Sequence, residues 1–224
     1  MNFNDYFRPD EEPLDQLLPG GGFCGIFRTI ACVGDSLASG EFESTNEDGS
    51  TGYNDMYDYS WGQYMARALG CKVHNFSRGG MSAKWYVEKF ADERDLWNAD
   101  KAAQAYIIAL GVNDTNQNNF DLCPTGSMDD IGTDRITFAR YYGEIIERYK
   151  QIQPDARFFL MTIPRGENEQ EEMAARRDAH AVLLHQMAER YAGTYVLDFR
   201  RYAPVYDNEF RQQFFMGGHM NACG

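Results

Sequence analysis

Arg28-Thr29-Ile30-Ala31-Cys32-Val33-Gly34-Asp35-Ser36-Leu37 carries the first clear structural signal in this chain. Its apolar run has the length of one strand, and Gly34-Asp35 ends that run in a tight polar turn bearing a serine. Runs of the same kind recur at 72–76, 105–110, 157–163 and 195–199. Between them, apolar residues at helical spacing predict helices over 60–69, 82–91, 138–152 and 169–192, with Gly70, Pro154 and Gly193 at the stops. Short apolar strands alternating with amphipathic helices imply a parallel sheet covered on both faces, because each crossover must pass over the sheet. The predicted class is α/β, a three-layer α/β/α sandwich with a five-stranded parallel sheet.

Residues 1–22 are rich in acid, Pro and Gly and read as an N-terminal arm, leaving 23–224 as a single domain. Acids outnumber bases 34 to 21, a formal net charge of -13, so a polyanion is repelled and nucleic acid is not an expected partner. No apolar run has the length of a membrane span, and no basic start with an apolar run opens the chain, so the expected location is the cytoplasm. Five cysteines form an odd number with no CxxC spacing, which fits reduced thiols better than a disulfide framework or a zinc ribbon. His74, His180 and His185 are scattered without an HExxH pattern and read as structural or surface residues. Gly20, Gly22 and Gly25 match GxGxxG but precede a strand instead of joining one to a helix, so they read as a linker. Neither a metal nor a cofactor is expected.

Ligands of open parallel sheets gather at the carboxyl ends of the strands. Four segments fall at such ends or at the chain's finish: Gly34-Asp35-Ser36-Leu37, Asn75 to Ser82, Gly111-Val112-Asn113-Asp114, and Gly217-Gly218-His219-Met220-Asn221. A free serine is a poor nucleophile and requires a base in reach and donors for the oxyanion. Two long polar insertions, 41–59 and 115–134, leave the same edge and read either as shapers of substrate access or as disordered decoration.

In their order and spacing these four segments resemble the SGNH hydrolase family, the GDSL esterases and lipases. The resemblance implies a flavodoxin-like sheet in the order 2-1-3-4-5, with Ser36 as nucleophile and His219 as base. It also implies an oxyanion hole formed by the Ser36 amide, the Gly80 amide and the Asn113 side chain. The resemblance selects Gly80 over Gly79, because the family's glycine usually lies five residues after the asparagine of its block and two before a Ser or Thr, here Asn75 and Ser82. Gly79 alone would read as a turn position needing positive φ. Asn113 alone would read as a loop cap.

Two departures from the family stand out. Most members carry an Asp three residues before the catalytic His, and here that position is Met216. Asp198 or Asp207 folding back to His219 is one replacement. A backbone carbonyl holding the ring in a Ser–His dyad is another, and is the reading preferred here. The chain also stops at Gly224, where members usually continue into a closing helix, so the His219 loop is expected to be mobile. Lys84, Trp85 and Tyr86, and the loop tyrosines Tyr53, Tyr57 and Tyr59, are candidate pocket walls, with ordinary packing or loop anchoring as the simpler role. The expected function is hydrolysis of a small-molecule acyl ester, short-chain or carbohydrate-borne, through a covalent acyl-enzyme. The rivals are a binding protein with weakened catalysis and an acyltransferase using the same centre.

Overall fold

The computed structural model describes residues 22–116 and 122–224. Strand β1 (Thr29–Gly34) is buried along almost its whole length because it lies inside the sheet with helices over both faces. It is flanked by β4 (Lys72–Ser77) on one side and β5 (Ala105–Ala109) on the other, followed by β6 (Arg157–Met161) and β7 (Thr194–Leu197). The strand order is β4-β1-β5-β6-β7, and every pairing is parallel. This is the α/β sandwich and the 2-1-3-4-5 order expected from the sequence. Gly34 lies in register with Ser77 of β4 and Ala109 of β5, so three successive loops leave the sheet at one level.

Alternation along the strands divides the core into two layers. Ala31, Val33, Tyr106, Ile108, Phe158 and Leu160 face α6 (Phe138–Ile152) and α7 (Glu171–Arg190), whose Phe138, Tyr142, Ile145, Tyr149 and Leu184 complete that layer. Tyr106 stacks on Tyr149 at 4.3 Å and on Phe158 at 5.2 Å. The buried Tyr142 hydroxyl donates to the Ile108 carbonyl at 3.1 Å, so its polar atom is not left orphaned. On the other face Ile30, Cys32, Val73 and Ile107 meet Trp61, Met65 and Leu69 of α2 (Trp61–Leu69). Ser60 caps that helix, and Gly70 ends it in the left-handed conformation.

The structure departs from expectation in three places. The helix expected over 82–91 is α3 (Ala83–Trp85), a π-helical turn (Tyr86–Phe90) and α4 (Ala91–Glu93), with Tyr86, Val87, Phe90 and Ala91 all buried around the wider turn. The last strand ends at Leu197, because Asp198 caps a short helix α8 (Phe199–Tyr202). The insertion 41–59 is ordered: β2 (Glu41–Thr45) and β3 (Thr51–Asp55) form an antiparallel hairpin. After α8 come α9 (Asn208–Phe214) and a small hairpin of β8 (Phe215–Met216) and β9 (His219–Met220). Residues 1–21 of the N-terminal arm 1–22, and part of the insertion 115–134, lie outside the described residues. None of the five cysteines forms a disulfide. Among the described residues no helix is long and apolar enough to cross a membrane.

Candidate active site

Ser36 opens the short helix α1 (Ser36–Ser39) directly beyond β1. Gly34 makes so sharp a turn possible: a Cβ there would sit 2.6 Å from the Ala38 Cβ and 3.3 Å from the Ala109 carbonyl oxygen. Asp35 caps the helix by accepting from the Leu37 amide at 3.0 Å and is 1% exposed. Burial pushes its carboxyl up to about 7, against the opposing pull of the Leu37 amide and of His219.

The loops after β4 and β5 stand beside this turn. Gly80 has φ +72, a conformation that favours glycine. Gly79 does not: its need is for space, since a Cβ there would fall 2.1 Å from Glu41 Oε2. Asn113, in the short helix α5 (Val112–Thr115), points its Nδ2 at the Met81 carbonyl, 3.1 Å away, and at Asp35 Oδ2, 3.4 Å away. Ser36, Gly80 and Asn113 thus lie on three adjacent loops at one sheet edge. The Asn113 loop is held from beneath by buried His180, whose Nε2 lies 3.1 Å from the Leu110 carbonyl oxygen. Burial lowers the His180 pKa to about 4, so the ring is neutral and fills the space a Gly111 side chain would need.

His219 arrives from the other end of the chain. Strand β9 packs against α1 and β2, and Met216, at the family's usual Asp position, pairs with His219 across the β8–β9 hairpin. The ring lies between two carboxylates of β2. Nδ1 is 2.7 Å from Glu43 Oε1, and Nε2 is 3.3 Å from Glu41 Oε1. The Gly218 amide donates to the same Glu43 oxygen at 2.7 Å. Glu41 and Glu43 alternate along β2 and so share a face. The His219 hydrogen bond is the main influence holding the Glu43 carboxyl below the usual carboxylate range. Burial raises that of Glu41. Tyr53, opposite Glu43 in the hairpin register, sets its exposed ring edge-on to the imidazole at 5.7 Å. Among the described residues no hydrogen bond joins Ser36 to His219, whose Nε2 is turned to Glu41.

The acid beside the imidazole is therefore neither of those named from the sequence. Asp198 bonds His185 at 3.0 Å and the Thr162 hydroxyl at 3.0 Å. Asp207 caps α9 through the Phe210 amide at 2.8 Å. The backbone-carbonyl version gives way as well, since the group facing Nδ1 is the Glu43 carboxylate. The available signal was the alternation Glu41-Phe42-Glu43-Ser44-Thr45 just past the Ser36 turn, which has the period of a strand.

The aromatic candidates divide. Tyr86 is buried with its hydroxyl 2.6 Å from that of Tyr149, and Trp85 packs on the core with the Arg78 guanidinium 5.3 Å from its ring centre. Tyr57 anchors its loop by donating to the Val73 carbonyl at 3.1 Å, and Tyr59 meets Phe42 edge-on. Of the three loop tyrosines, Tyr53 is the one set against the imidazole.

The sequence model of the GDSL-like Lipase/Acylhydrolase family matches residues 32–224. No curated protein sequence matches the chain. Among solved structures, the chain is similar to a family two carbohydrate esterase from Clostridium thermocellum in complex with cellohexaose, at 18% identity and a TM-score of 0.55. That likeness covers 77% of this chain and 54% of the other, so the chain spans about half the length of that esterase. A carbohydrate esterase family 2 enzyme with its carbohydrate-binding domain, from Corynascus thermopiles (Myceliophthora fergusii), is 18% identical with a TM-score of 0.61, over 88% of this chain and 61% of that one. A possible lipase from Chitinophaga pinensis is 20% identical with a TM-score of 0.53, over 78% and 68%. At these identities the likeness is one of fold.

Proposed function

The chain belongs to the GDSL-like lipase/acylhydrolase family, and from that premise we propose that it is a serine ester hydrolase. Ser36 Oγ attacks the ester carbonyl while His219 Nε2 takes its proton, and Glu43 holds the ring through Nδ1. The Ser36 and Gly80 amides and the Asn113 side chain receive the negative charge that develops on the carbonyl oxygen. His219 then protonates the leaving alcohol, and water attacks the acyl-Ser36 by the same route. For attack to begin, the Glu41 side chain must leave Nε2, which frees the space above Gly79 for substrate. Glu43 is a positioning residue. It orients the imidazole and balances the charge the ring gains, as the Asp of a Ser-His-Asp triad does.

One observation carries this reading: His219 Nδ1 and the Gly218 amide converge on one Glu43 oxygen, on a hairpin packed against the helix that begins at Ser36. A carboxylate facing Nδ1 supplies what Met216 lacks, and so favours turnover over the rival reading of a catalytically weakened binder. Short acyl groups or acyl groups borne on a sugar are the favoured substrates. The support is the polar hairpin wall and the exposed Tyr53 ring beside the imidazole, a surface suited to a sugar face. Hydrolysis of short p-nitrophenyl esters by the wild type, with a loss of about 10³-fold or more in Ser36→Ala, is the expected result. Equal rates would end the proposal. Product analysis with an added sugar acceptor separates hydrolysis from acyl transfer.

A further inference from the structure

β4 is the outer strand of the sheet, and a groove of about 810 Å³ runs beside it. The groove reaches from Arg78 and Asp55, next to the candidate active site, to Lys72 and Lys101 near the strand's start. Six strand residues separate its ends, roughly 20 Å at 3.3 Å per residue. Phe76, Phe90 and Leu96 form an apolar floor, whereas the rim is mostly cationic: Lys72, Arg78, Arg94 and Lys101 against Asp55 and Asp100.

That concentration of positive charge runs against the composition of the chain. With 34 acids to 21 bases, a cation at the surface should readily find a carboxylate. Yet among the described residues Lys72, Arg78 and Arg94 form no ion pair, and Lys101, which donates to the Arg94 carbonyl at 2.8 Å, has a single ion pair at 3.6 Å, with Asp95. Arg78 lies against the Trp85 ring instead. Of the two rim acids, Asp55 already accepts from the Ser39 hydroxyl at 2.7 Å. His74 registers the resulting field: its pKa is lowered by burial and further by Lys72 and Lys101. The groove offers little to an added peptide strand, because the Val73 carbonyl is taken by Tyr57 and Gln63 and the Ser77 amide by Asn75. It offers fixed positive charge over an apolar floor, one end of it at the candidate active site.

We propose that this groove binds the carboxylate-bearing part of the substrate, so that the acyl group is carried on an anionic, uronate-containing saccharide. The link to an acyl group rests on the esterase reading above, whereas the binding itself does not. A chain of net charge -13 repels such a saccharide in general, and a local cationic groove beside the active site offsets that repulsion where it matters.

The test is calorimetric titration of the full chain with tri-galacturonate, which carries no ester, alongside the neutral xylotriose and inorganic phosphate. Tri-galacturonate is expected to bind saturably and xylotriose not, with affinity falling as salt rises from 20 to 500 mM. The double variant K72E/R94E should bind at least about tenfold more weakly while keeping the wild-type rate on p-nitrophenyl acetate, which reports an intact fold and centre. Any of four results overturns the proposal: no saturable binding of tri-galacturonate, equal binding of xylotriose, phosphate bound as tightly, or an affinity untouched by the charge reversals. Binding that persists in Ser36→Ala, together with an inert wild type, would sink the esterase reading and leave the groove standing.

Discussion

Ser36, Gly80 and Asn113 stand at the ends of three neighbouring strands, whereas His219 and Glu43 stand on two small hairpins outside the sheet. The first group is fixed by the core: Gly34 packs against Ala38 and Ala109, Asp35 is 1% exposed, and neutral His180 braces the Asn113 loop. The second group is held by few contacts, chiefly Glu43 to His219 Nδ1 and to the Gly218 amide. Strands of two residues each, β8 and β9, contribute little stability of their own. Ser36, Gly80 and Asn113 are thus positioned by the folding of the sheet, while the His219 ring depends chiefly on Glu43 for its orientation. Damage to the sheet side should show as lost stability, and damage to the hairpin side as lost turnover in a protein that still folds.

The largest effect expected from this contrast is that of Glu43→Ala. Turnover of p-nitrophenyl acetate should fall by about 10²- to 10⁴-fold with KM nearly unchanged, since only the orientation of the base is lost. The melting temperature should move by a few degrees at most. Partial recovery in Glu43→Asp would mark the carboxylate as the working feature, and a matched fall in stability would erase the distinction between the two sides.

Asp35 probes the sheet side. Its folded carboxyl is raised to about 7 by burial, so the folded chain holds that proton more tightly than the unfolded chain does. Its contribution to stability is therefore most favourable below about 4 and is lost as pH rises through about 7. Asp35→Asn cannot ionise and keeps a capping side chain. Denaturant unfolding should show the variant gaining on the wild type between pH 4 and 8, by an amount on the order of a few kcal/mol. Parallel stability curves would mean that the buried carboxyl is not ionising at this cost.

The smallest effect belongs to Met216→Asp, which restores the residue at the family's usual position. Because Glu43 already faces His219 Nδ1, the change should alter kcat/KM by no more than about twofold. A rise of tenfold or more would show that Glu43 does not do this work.

These contrasts also explain what could be read from the sequence. The five strands, the helix stop at Gly70 and the three edge loops follow from local patterns, because an apolar run and the turn after it are written in adjacent residues. The pairing of Glu43 with His219 was not legible, since the two lie 176 residues apart and nothing near His219 announces it. Met216 looked like a loss when only the neighbourhood of the histidine was read. Asp198 looked available until the structure gave it His185, Thr162 and the start of α8. The hairpin itself was within reach: Asn46-Glu47-Asp48-Gly49-Ser50 is a turn between two alternating runs, but its polar composition resembled a disordered insertion. Only tertiary pairing distinguishes such a hairpin from a loop.

Labelling with a fluorophosphonate, mapped by mass spectrometry in the wild type, His219→Ala and Glu43→Ala, tests the centre most directly because it assumes no substrate. A single adduct on Ser36 is expected, formed rapidly in the wild type, far more slowly without His219 and at a reduced rate without Glu43. An adduct on another residue, or labelling of Ser36 at one rate in all three proteins, would contradict that expectation.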